Sequence, residues 1–70
     1  EIGGNDEIMA TFLSADELTA PEGSRVLFGY PLPADKAERR TGMVIAVRRL
    51  HYVLPALLKA GVRLEHIYDY

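Results

Sequence analysis

A small α+β domain is the fold class this sequence predicts, and three observations carry it. The apolar period changes from helical to alternating at Gly61, Pro55 interrupts what would otherwise be one long helix, and residues 25–30 form a β-rich run bounded by prolines. The expected architecture is a βαβ-containing unit over residues 25–70, preceded by an acidic N-terminal arm over residues 1–24 that carries a short helix. The competing arrangement is mostly helical, with one long kinked helix over residues 41–60.

Each element has a local reason. Asn5 has the side chain of a helix cap for residues 6–13, and Ser14-Ala15-Asp16-Glu17 has the spacing of a capping box. Residues 19–24 are turn chemistry, in which Pro21 lacks a donor and Gly23 is free to take positive φ. A strand follows over 25–30 and stops before Pro31 and Pro33, neither of which fits a central ladder. Residues 35–40 form a helical turn or a charged loop.

Residues 41–61 admit two readings. Met43, Val47, Leu50, Leu54 and Leu57 alternate spacings of four and three, as on one helix. In the middle of such a helix Pro55 costs about 3 kcal/mol. Breaking the stretch into a strand at 43–48 and a helix at 50–60 moves Pro55 into or just beyond the first turn. Gly61 is a left-handed cap in either case. Beyond it, Val62, Leu64, His66 and Tyr68 alternate with Arg63, Glu65, Ile67 and Asp69, the signature of a half-buried strand. Strand, crossover and strand then satisfy the length requirement of a parallel βαβ unit.

Composition narrows the function classes. The absence of cysteine excludes disulfides, thiolate zinc sites and a cysteine nucleophile. Residues 1–24 carry six acids and no base, whereas residues 25–63 carry all eight bases against two acids. That layout suits a solvated surface whose halves attract, or an arm that screens a basic face. A pI near 5.6 argues against nucleic acid as a partner. The longest apolar run, residues 43–47, is far short of the ~20 needed to span a membrane, and the polar, acidic first residues do not resemble a signal peptide. A cytoplasmic chain with no membrane partner is expected.

Residues 53–68, a helix ending in Ala60-Gly61, then Val62, then Leu64-Glu65-His66-Ile67-Tyr68, resemble the first helix and second strand of an ACT domain. Residues 43–47 are similar to the strand before that helix. The resemblance implies a ferredoxin-like βαβ half that pairs with another chain, and a site for an amino acid or similar anion. The chain departs from the family pattern where a Pro-Gly type turn usually approaches the ligand, since Val47-Arg48-Arg49 stands there. The family's remaining strands and second helix are not represented.

No catalytic constellation stands out. His51 and His66 lack zinc-ligand spacing, strict alternation would send Glu65 and His66 to opposite faces, and no nucleophile elbow presents Ser14 or Ser24. No cofactor and no metal are expected, and the chain is read as not an enzyme. The arginine pairs Arg39-Arg40 and Arg48-Arg49 are the candidate ligand site. Arg48 and Arg49 stand where a helix amino terminus also favours an anion. Val62, Leu64, Tyr68 and Tyr70 on the last strand are the candidate interface, tyrosine being able to bury its ring and keep its hydroxyl wet. A 70-residue chain without covalent staples has a small core. The expected function is therefore a protein-association or regulatory module, acting as a homodimer or as a subunit of a complex with another protein chain. The alternative is an ACT-like sensor of a small anion.

Overall fold

The computed structural model describes residues 6–68. Four antiparallel strands, β1 (Glu7–Ser14), β2 (Ser24–Pro31), β3 (Arg39–Ala46) and β4 (Arg63–Tyr68), form one sheet in the order β2-β3-β1-β4. A 3-10 turn over Val47–Arg49 leads into the helix α1 (Leu50–Lys59), which lies on one side of the sheet. The α+β class and the helix between the last two strands agree with the sequence reading. β3 and β4 both run antiparallel to β1 and flank it, so they are parallel to each other with β1 inserted between them. The expected βαβ unit is thus a split one. The alternative of one kinked helix over 41–60 does not occur, because residues 39–46 are ladder-bonded on both sides.

The expected helix over 6–13 is instead the inner strand β1, so there is no N-terminal helical arm; Asn5, its assigned cap, lies outside the described residues. Ile8, Met9, Ala10, Phe12 and Leu13 form a nearly continuous apolar run, which a strand buried between two neighbours shows as readily as a helix does. Ser14 does not cap a helix: its hydroxyl donates to the Asp16 carbonyl oxygen at 2.6 Å and begins a turn. Residues 15–20 then cross the core edge in irregular conformation, with Leu18 and Ala20 packed against it.

Local chemistry sets the turns. The turn at Pro21–Ser24 closes with the Ser24 amide donating to Pro21 O at 3.1 Å, and Gly23 takes φ +94°. At the end of α1 the Val62 amide donates to Leu57 O and the Gly61 amide to Leu58 O, both at 3.0 Å, with Gly61 at φ +85°. This is a Schellman cap, and its companion apolar contact is present because Leu57 and Val62 both enter the core. Pro55 sits at the start of the second turn of α1, just beyond the first turn as expected. It and His51, whose carbonyl loses an amide partner, lie on the exposed side, where water can take the freed acceptor.

Ala10, Phe12, Met43 and Ile45 on the sheet and Val53, Leu57 and Val62 above them make the core. Direct partners in the register, Ala10 with Met43 and Ile8 with Ile45, share the helix-facing side. Among the described residues no helix is long and apolar enough to cross a membrane.

Candidate functional site: the open face of the sheet

Alternation along β1 sends Met9, Thr11 and Leu13 to the side away from α1. Val44, Gly42 and Arg40 stand directly opposite them on β3. The outer strands do not keep strict alternation. β2 is irregular between Val26 and Phe28, after which Phe28 pairs with Gly42 and Tyr30 with Arg40. β4 shifts register between Thr11 and Phe12 of β1, so that His66 pairs with Thr11 and Leu64 with Phe12 while Glu65 is the extra residue. The bulge places Glu65 and His66 on the same open face, correcting the expectation that they point apart.

These side chains line an open trough of about 460 Å³. One wall is the stacked pair Phe28 and Tyr30, with ring centroids 5.9 Å apart and 15° between planes. The facing wall is His66 and Tyr68, edge to face at 4.4 Å. Met9 and Thr11 form the floor. Phe28 lies flat over Gly42, where an added Cβ would meet its ring at 2.3 Å; the missing side chain at 42 makes room for the aromatic wall.

Arg40 closes one end. Its guanidinium grips Glu65 through two bonds, Nε to Oε1 at 2.8 Å and Nη2 to Oε2 at 2.6 Å, and donates to the Tyr30 hydroxyl at 3.2 Å. The Arg40 guanidinium holds the Glu65 carboxyl below its ordinary range, and a hydrogen bond from Thr11 acts in the same direction. Glu65 and Tyr30 in turn hold the guanidinium firmly protonated.

The residues singled out from sequence are dispersed. Tyr68 stands on the open face, 41% exposed, whereas Leu64, paired with Phe12, lies on the helix side of β4 and is 43% exposed. Val62 is 4% exposed and belongs to the chain's own core, and Tyr70 lies outside the described residues. The pair Arg39-Arg40 is split between the two faces. Arg39 lies beside Gly29 and Thr41 on the helix side, where its Nε is buried without a hydrogen-bond partner. Arg48 and Arg49 occupy the 3-10 turn before α1. The Arg49 stem covers Gly23, and its guanidinium stacks over the Tyr52 ring at 4.6 Å. The amino terminus of α1 has no side-chain cap and no acid in its first turn.

Phe28, Met9, His66 and the Arg40–Glu65 clasp are the parts of this face that sequence reasoning missed. Phe28 and Tyr30 at a spacing of two gave a usable signal; the clasp, joining residues 25 apart, gave none. A second cavity, of about 480 Å³, lies between residues 14–19 and the end of α1, with Asp16 and Glu17 among its lining residues. Among the described residues no group of three or more His, Asp or Glu side chains could hold a metal ion. Compared with protein families, with curated proteins and with solved structures, the chain has no match.

Proposed function

We propose that this chain is a non-catalytic association module, working as a homodimer or as a subunit of a larger complex. The observation that carries the reading is the imbalance between what the fold buries and what it leaves out. Seven apolar residues form the core, while ten large apolar side chains among the described residues stay exposed. One helix covers one side of the sheet; the other side, which an antiparallel sheet facing water ordinarily fills with polar residues, carries the exposed rings of Phe28, Tyr30 and Tyr68. At about 25 cal/mol per Å² of apolar area removed from water, covering part of this surface adds materially to a marginal domain.

Light scattering and thermal unfolding across a hundredfold dilution test the proposal. Association makes the melting temperature rise with protein concentration. A cooperative monomer whose melting temperature does not move with concentration, and which no partner chain stabilises, overturns it. The sensor alternative is read in the same instrument, since a ligand at 100 times its Kd adds about 2.7 kcal/mol. A shift with amino acids or phosphate that vanishes in Arg48→Ala, Arg49→Ala would replace association with anion sensing.

A further inference from the structure

Resting on that association reading, we propose that the occupant of the open sheet face is a second copy of this chain, packed sheet on sheet in a symmetric dimer. Three features of the face point to a copy of itself. The first is charge. Each charged side chain that the register places here already has an intramolecular partner: Glu7 with Arg25 at 3.6 Å, Arg40 with Glu65 at 2.6 Å, and Arg63 with Glu38. A two-fold interface brings a patch against the same patch, so a surface of one sign would repel its copy; internally cancelled charges remove that penalty.

The second is area. Three strands of eight residues and one of six, at about 4.8 Å spacing and about 3.3 Å per residue, give roughly 475 Å² of projected sheet per copy. Two copies then bury roughly 950 Å² before side-chain relief is counted, and the relief of the aromatic walls brings the total to the ~1,000 Å² lower bound of a specific interface. The third is shape. Aromatic walls on the two outer strands and a low floor between them let the ridges of one face seat in the trough of the other, as inner faces interdigitate in sandwiches.

Two other surfaces fit a copy less well. Edge pairing through β2 is hindered by its irregularity at Val26/Phe28 and by Pro31. The outer side of α1 offers Leu58 and Tyr52 as separate apolar residues, the latter already beneath Arg49.

The experiment combines mass measurement with tyrosine labelling. Light scattering of the unaltered chain gives the mass of two copies, Phe28→Glu weakens the dimer by about a hundredfold or more, and Leu58→Glu changes it by less than about threefold. Circular dichroism shows that each variant is folded. Labelling of the unaltered chain needs no substitution: Tyr30 and Tyr68 become protected as concentration rises through the dimer range, and Tyr52 does not. A dimer that survives Phe28→Glu, or that protects Tyr52 instead of Tyr30 and Tyr68, overturns this inference and leaves the association reading standing. A chain that stays single, with Tyr30 and Tyr68 protected only by a different protein, overturns it with the same consequence. A chain that stays single and finds no partner overturns both.

Discussion

The two faces of the sheet draw on the same strands and bury their side chains by different means. On the helix side, Ala10, Phe12, Met43 and Ile45 are sealed beneath α1, each at most 1% exposed. On the open side the aromatic residues are larger, yet Phe28, Tyr30 and Tyr68 keep 37–41% of their surface in water. What holds them is mutual stacking, a glycine beneath one ring and a bidentate ion pair at one end. The difference separates fixing by burial from fixing by contact. The helix side supplies the stability of the single chain, and on the open side stacking and the clasp fix rotamers that burial does not, which under the proposed dimer leaves little rotamer freedom to lose.

Phe12→Ala tests the covered side and has the largest expected effect. Removing that ring beneath the helix costs about 3–5 kcal/mol. That is comparable to the whole stability of a domain this small, so urea titration should find the variant largely unfolded. Gly42→Ala tests the open side. The new methyl group displaces the Phe28 ring, at an expected cost of about 1–2 kcal/mol. A double-mutant cycle sharpens the assignment: in a Phe28→Ala background the same change is neutral or stabilising, because only the ring opposes it. Additive costs would mean that the β3 backbone, not the aromatic wall, demands glycine.

Gly61→Ala probes a connection common to both faces. The position is open in space but has φ +85°, so the whole cost, about 1 kcal/mol, is backbone strain at the helix cap. Denaturant midpoints for Gly61→Ala and Gly61→Asn check this, the asparagine variant recovering part of the loss.

The smallest effect belongs to the clasp. The folded state lowers the Glu65 pKa from its ordinary 4.5, so its contribution to stability is present above that value and is lost as pH falls through the folded one. Both side chains are about one-third exposed, which screens the pair and keeps the effect modest. Urea midpoints taken from about pH 7 to about pH 3 should fall less steeply in Glu65→Gln than in the unaltered chain. Equal slopes would show that the clasp contributes nothing to folding and serves only to place Tyr30.

Much of the helix side was readable in advance. Leu50, Val53, Leu54 and Leu57 keep helical spacing, Met43 and Ile45 keep strand spacing, and Gly61 marks the boundary between periods. The open face was readable only in fragments. Tyr68 was visible as an interface-type residue, but the partners that make it part of a site come from other strands. β1 was misread because five of the six residues from Ile8 to Leu13 are apolar, and a run without alternation does not state its period.

By itself the sequence determined the local events: the Gly23 turn, the helix after residue 49, its Gly61 cap and the change of period beyond it. Each is decided by a few adjacent residues whose backbone preferences and hydrogen bonds close within one turn of chain. Tertiary structure alone decided that residues 7–14 are an inner strand, that β1 splits β3 from β4, and that Glu65 bulges out to share a face with His66. Those outcomes depend on ladder partners distant in the chain, and a one-residue shift in such a ladder turns every later side chain to the other face.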